Sequence, residues 1–193
     1  MNRLAIIVLN WNGADDAIGC MESLLQQTTP LDIVLVDNNS QQDSINELEA
    51  FVKQKETNHI IFLKNTVNSG YSGGNNFGFT YALKQDYDYI GTLNPDAVAD
   101  ENWAKNLVAD LEKKSDVGIT GGILARSDKK HIDSTGDFYP TWGIPGPRGR
   151  DSLLENAPKQ PEYVFGITGG GFIAKATMFR DIGLFDEKFF MYY

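Results

Sequence analysis

Only one cysteine, Cys20, occurs in the 193 residues, so no internal disulfide can form. That usage points to a reducing, cytoplasmic setting, with Cys20 a small apolar residue on the first predicted helix. Histidine is nearly as scarce. His59 and His131 stand far apart without cysteine partners, which excludes a structural zinc site of the usual spacing. No apolar run approaches the roughly 18 residues of a membrane-spanning helix, and the opening MNRLAIIVLNWNG has no signal-peptide cleavage region. Positive charge is the minority sign: 17 Lys and Arg against 26 Asp and Glu leave a net charge of −9. Nucleic acid and anionic membrane surfaces are therefore poor main partners.

Two nucleotide signatures are missing as well. The glycines at 70, 73, 74 and 78 contain no Gly-Lys-Ser/Thr and no G-x-G-x-x-G, and they follow the third predicted strand instead of the first. A dinucleotide dehydrogenase fits poorly. A nucleotidyltransferase would want a basic, glycine-rich loop after strand one, where this chain has the acidic NWNGADD.

What the chain does have is an ordinary globular composition, 41% hydrophobic and 22% charged, and a length suited to one domain. Residues 4–9 (LAIIVL) and 33–36 (IVLV) are continuous apolar runs of strand length, as expected for strands buried on both faces. Residues 60–63, 89–93 and 117–124 read as further strands, with 163–168 and 172–175 near the end. Helices are predicted from Asp15 or Asp16 to Gln27, from a Ser44/Glu47 capping box through Lys55, over 77–84, and over 101–113 behind Asp100. The alternation predicts an α/β fold with a mainly parallel sheet and helices on both faces. Four of the seven prolines fall between Pro140 and Pro158, where the rhythm gives way to long loops.

Polar residues gather at the carboxyl ends of the strands, where open parallel sheets bind ligands. Asn10, Trp11 and Asn12 follow strand one; Asp37, Asn38, Asn39 and Ser40 follow strand two. Asn65, Asn68 and Ser69 follow strand three, and Asn94 and Asp96 follow strand four. A nucleoside diphosphate in a net-acidic protein needs local positive charge, and magnesium or manganese supplies it through one or two carboxylates plus phosphate oxygens. Asp96, stiffened by Pro95, suits that role; a plain turn cap suits the same position equally well.

Taken in order, AIIVLNWNG, IVLVDNNSQQDS, NSGYSGGNNFG, TLNPDAVAD and TGGGFIAKATMFRDIGLFDEKFFMYY resemble glycosyltransferase family 2, nearest its rhamnosyltransferase-like branch. The resemblance spans nearly the whole chain. It implies a GT-A fold, a UDP- or dTDP-sugar donor, a divalent cation, and transfer with inversion to a glycan or lipid-linked glycan. It divides the single domain into a donor-binding part, 1–125, and an acceptor-side part, 126–193.

On the donor side the resemblance implies Leu9, Asn10 and Trp11 lining the base pocket and Asp37 on the base or ribose. It adds Asn75 in the glycine-rich segment, where Gly74 stands in place of a basic residue; Asn39 after strand two, and Asn68 and Gly70 after strand three, join the donor side by position. Asn94-Pro95-Asp96 matches the Asp-x-Asp position, with Asp96 keeping the metal-binding acid. Tyr139, Trp142, Gly169 and Gly170 fall on the acceptor side, and Arg148 and Arg150 are as well explained as solvated loop charges. The family's general base is expected beyond Tyr193, so Asp186 and Glu187 are not given that role. Residues 189–193 are all apolar or aromatic and are expected to pack on further structure or to self-associate. A lipid-linked acceptor would bring the protein to the cytoplasmic face of a membrane. The rival reading from another class is a non-catalytic nucleotide-sugar-binding module.

Overall fold

The computed structural model describes residues 3–191; Tyr192 and Tyr193, part of the expected sticky end, lie outside them. In chain order the elements are β1 (Leu4–Asn10), α1 (Ala14–Leu25), β2 (Asp32–Asp37), α2 (Gln42–Lys55), β3 (Ile60–Lys64), α3 (Gly70–Lys84), β4 (Tyr89–Leu93) and α4 (Trp103–Lys113). Short strands follow: β5 (Ile119–Gly121), β6 (Leu124–Ala125), β7 (Ile132–Ser134), β8 (Asp137–Phe138) and β9 (Gly146–Pro147). β10 (Gly171–Lys175) and α5 (Ala176–Ile182) complete the chain.

Six strands form one sheet in the order β3-β2-β1-β4-β10-β5. β3, β2, β1 and β4 are parallel, and β10 runs antiparallel between β4 and β5. Alternation along the central strands sorts side chains to two cores. Leu4, Ile6, Val8, Ile33 and Leu35 face α1, α2 and α4, while Ala5, Ile7, Val34 and Val36 face α3 and α5. With both faces covered, the strands read as the continuous apolar runs seen in the sequence.

Two features position the site. The chain leaves β1 towards β2 but returns to β1's other side as β4, so the connections diverge between β1 and β4. That divergence opens a crevice at their carboxyl ends. Antiparallel β10 then brings its own beginning to the same edge, pairing Gly171 with Leu93.

The glycine-rich segment departs from expectation. It is not a loop before a short helix but the first two turns of α3, which begins at Gly70 instead of residue 77. Glycine weakens a helix by about 1 kcal/mol relative to alanine, yet here close packing decides. A Cβ on Gly78 would lie 2.7 Å from Ile7 Cγ1, and one on Gly74 would lie 2.5 Å from Leu9 Cδ1. Only a smooth helix face lies this close to the sheet.

Other boundaries move for local reasons. α2 starts at Gln42, so Ser44 is inside the helix and forms no capping box. α4 starts at Trp103. Gln27 supplies its cap from another part of the chain, Oε1 accepting from Ala104 N at 2.9 Å, while Asp100 Oδ1 accepts from Asn102 N at 3.0 Å. The expected strand over 117–124 splits at its glycine pair, and β6 turns away to pair with β7. Residues 163–168 form no strand beyond a single bridge from Gly166 to Asp137.

Thr92 ties the sheet to α3. Its buried Oγ1 lies 3.1 Å from Ile7 O and 2.8 Å from Asn75 Oδ1. Thr92→Val should cost about 1–3 kcal/mol, because it leaves the Asn75 oxygen unpaired in the core. Urea denaturation checks this, and a change below about 0.5 kcal/mol would contradict it.

Candidate functional site

The parallel register of β1 and β2 sets Asn10 opposite Asp37, and both side chains are fully buried. Asn10 Nδ2 donates to Asp37 Oδ1 at 2.9 Å, and Ser40 N donates to Asp37 Oδ2 at 3.0 Å. Asn10 Oδ1 accepts from Gly13 N at 3.1 Å. The loop backbones then cross-tie: Asn12 N donates to Ser40 Oγ at 2.8 Å, and Gln41 N to Asn12 Oδ1 at 2.6 Å. Asn12 and Asn39 take positive φ, 57° and 65°, a conformation asparagine tolerates better than most residues. The outcome is a stiff double loop that holds Trp11 outward, 56% exposed, with Asn39 exposed beside it.

Asn38 stitches this loop to the next one. Its Nδ2 donates to Asn68 Oδ1 at 3.0 Å and Gly70 O at 3.1 Å, while its Oδ1 accepts from Ser69 N at 3.2 Å. At β4 the backbone of Asn94 donates to Gly170 O at 3.0 Å. Asp96 sits in the following turn, exposed, with no hydrogen-bond or ion-pair partner among the described residues. It shares a shallow depression with Asp15, Asp16 and Cys20 of α1. Burial, with the nearby Asp96 carboxylate second, pushes the Cys20 thiol up to about 12, so it stays a neutral thiol.

A cleft of about 450 Å³ opens alongside and is lined by Asp15, Asp16, Asp43 and Glu47. Loss of hydration raises the Glu47 carboxyl above its ordinary range, and its hydrogen bond with Asp15 adds to the rise. Asp15 and Asp16 belong to both hollows, so four carboxylates line this cleft and three, with Asp96, line the depression. Among the described residues no group of three or more His, Cys, Asp or Glu converges as a ready-made cage. A lone free carboxylate at a strand mouth fits a hard cation that draws its other ligands from phosphate and water.

Several residues expected to meet the ligand make internal contacts in this structure. Asp37 and Asn10 bond to each other and to backbone, and Asn10 Nδ2 also reaches Ser40 Oγ at 3.2 Å and Ser44 Oγ at 3.3 Å. Asn75 is fully buried, donating to Tyr71 O at 2.9 Å and meeting Thr92, so it fastens α3 to β4 and faces no solvent. Leu9 packs against Gly74, and Gly70 lies under Phe190, whose carbonyl and ring occupy the space of the missing side chain. Trp11, Asn39, Asn68, Asn94 and Asp96 do line one edge. Tyr139 stacks on Phe165 at 5.4 Å, and Trp142 is 74% exposed, on the far side of Gly169 and Gly170 in the chain order.

Asn38 stood in the sequence only among the polar residues after strand two, and Tyr71 and Asn76 were not singled out at all. Asn76 Nδ2 donates to Phe185 O at 2.9 Å, and its Oδ1 accepts from Phe185 N at 3.0 Å. Its place one residue from Asn75 hid it, because only the helical phase shows which asparagine faces which way.

The model of the family described as Glycosyl transferase family 2 matches residues 5–183. The chain belongs to that family. It is 26% identical over 199 residues to the low-salt glycan biosynthesis hexosyltransferase Agl10 of Haloferax volcanii, covering 100% of this chain and 59% of that protein. Among solved structures it resembles the mannosyltransferase PcManGT of Pyrobaculum calidifontis in complex with GDP-Man and Mn2+. The TM-score is 0.67 at 15% identity, covering 96% of this chain and 48% of that one. It also resembles GalNAc-T7 with UDP, GalNAc and Mn2+, with a TM-score of 0.75 at 16% identity, covering 98% and 38%. The fold is the GT-A fold of glycosyltransferases, and this chain spans 59% of its curated relative's length. No helix among the described residues is long and apolar enough to cross a membrane.

The site separates framework from free acid, and stability measures the difference. Asp37→Ala strands the Asn10 amide and the Ser40 N–H and should cost about 1.5–3 kcal/mol. Asp96→Ala removes an exposed group with no hydrogen-bond or ion-pair partner among the described residues and should change stability by no more than about 0.5 kcal/mol. Equal losses in chemical denaturation would contradict this division.

Proposed function

We propose that this chain is the catalytic domain of an inverting glycosyltransferase that takes a sugar from a nucleoside diphosphate sugar, with the donor-binding part in residues 1–125. The observation that carries the reading is Asp96: an exposed carboxylate without a hydrogen-bond or ion-pair partner among the described residues, fixed by Pro95 at the carboxyl end of β4 beside the switch point. An acid placed only to cap a turn would accept from a backbone N–H, as Asp100 does.

The nucleoside lies against Trp11 and the cross-tied loops, which offer an exposed ring and exposed asparagine groups. Asp96 holds a magnesium or manganese ion, with the acids of α1 near enough to strengthen the negative field around it. When bound, that ion supplies Lewis-acid stabilisation of charge on the departing diphosphate. The protein's own task is positioning. The Asn10–Asp37 pair sets the loops, and Asn94 fixes the β10 turn through Gly170.

Residues 126–193 form the acceptor side in this reading. Tyr139, Phe165 and Trp142 present flat, exposed rings suited to sugar faces, for a glycan or a lipid-linked glycan acceptor. Arg148 and Arg150 contribute less than their charge suggests, since each is paired, with Glu162 at 2.8 Å and Asp133 at 3.2 Å. Transfer of the whole protein's activity to this chain rests on the family and on the free acid together.

A thermal-shift panel of UDP-, dTDP- and GDP-sugars tests the reading. A ligand at a hundred times its Kd adds about 2.7 kcal/mol, which is about 5–10 °C for a chain of this size. The shift should appear with manganese and collapse with EDTA or in Asp96→Ala. No shift with any donor would overturn the proposal.

A further inference from the structure

The first two turns of α3 hold two distant pieces of chain at once. Tyr71 OH donates to Gly169 O at 2.6 Å across 98 residues, and Ser72 Oγ donates to Phe189 O at 2.5 Å across 117. Tyr71 N donates to Phe190 O at 2.7 Å, so this helix start is stoppered by the chain's own carbonyls. Asn76 spends both ends of its amide on the Phe185 backbone, and its Nδ2 also reaches Glu187 Oε1 at 3.0 Å. The Tyr71 ring stacks on Phe185 with centroids 6.0 Å apart. Desolvation raises the Tyr71 hydroxyl well above its ordinary value, which keeps it a donor.

We infer that Tyr71 and Asn76 are positioning residues for the sugar end of the donor. The inference rests on the nucleotide-sugar reading above. Sheet order then fixes the lie of the ligand: with the nucleoside at the ends of β1 and β2 and the diphosphate at β4, the next strand is β10. The start of β10 is the Gly169-Gly170 turn, whose carbonyls are held by Tyr71 and Asn94. The segment 185–190 flanks the same helix start and covers Gly70. Both walls around the sugar therefore hang on α3, the turn through Tyr71 and the 185–190 segment through Asn76 and Ser72, and the polar atoms of Tyr71 and Asn76 are consumed within the protein. Neither side chain has a group left for the nucleoside or the diphosphate.

This predicts a split in affinity that general destabilisation would not produce. Calorimetry in manganese would compare UDP with UDP-N-acetylhexosamines, dTDP with dTDP-hexoses, and GDP with GDP-mannose, on the wild type, Tyr71→Phe and Asn76→Ala. Tyr71→Phe keeps the ring stack and loses only the bond to Gly169, so it reports even if Asn76→Ala folds poorly. In the variants, the bare nucleotide should bind within twofold of wild type, while the nucleotide sugar weakens at least fivefold. Equal weakening of both ligands, or of neither, would overturn the positioning role and leave the donor reading standing. Failure of the wild type to bind any of these pairs would overturn the donor reading, and this inference with it.

Discussion

The hydrogen bond from Asn10 to Asp37 organises the functional edge of the sheet. Both side chains are fully buried at the ends of adjacent parallel strands, one an amide and the other a carboxylate. A buried carboxylate is costly unless its oxygens are satisfied, and here the satisfying groups are those that build the loops. Ser40 N caps one oxygen and the Asn10 amide the other. The remaining end of Asn10 starts the turn into α1 through Gly13. Asp37 thus does for the loops what a bound ligand could not do: it fixes them before any ligand arrives, so Trp11 is held outward without an ordering cost on binding.

A second constraint is the depth of α3. Glycines 74 and 78 let the helix sink onto Leu9, Ile7 and Val36, and that depth brings Tyr71 within reach of Gly169 and Asn76 within reach of Phe185. Larger residues would lift the helix and break both connections. A helix poor in intrinsic propensity therefore serves as the hub on which donor edge and acceptor-side chain meet. Its stability comes from packing, including Phe79 stacked 4.8 Å from Phe179 in the core it shares with α5.

Much of the framework was legible in the sequence because two-sided burial leaves a simple trace. LAIIVL and IVLV read as buried strands and are β1 and β2. The family resemblance and the position of Asp96 were also readable, since Asn-Pro-Asp after a strand is a local pattern. What was not readable depended on three dimensions. The start of α3 was missed because glycine argues against helix until the sheet beneath it is known. Asn75 was chosen over Asn76 because their opposite directions follow only from that helix's phase. The resemblance put Asp37 on the ligand, but sequence could not show that Asn10 stands opposite it in register and bonds to it. The roles of residues 185–190 could not be read, since their partners lie more than a hundred residues away.

The account depends most on Asp96 as the acid reserved for a cation. Three of its neighbours on the sequence or in space, Asp15, Asp16 and Asp100, offer carboxylates too, so the location of the ion is the decisive fact. Diffraction at the manganese absorption edge, from crystals grown with manganese and a nucleoside diphosphate, would locate it directly. The account predicts one anomalous peak in contact with the Asp96 carboxylate. A peak in the acidic cleft of Asp15, Asp43 and Glu47 with Asp96 left free would contradict it, as would no ordered manganese at all.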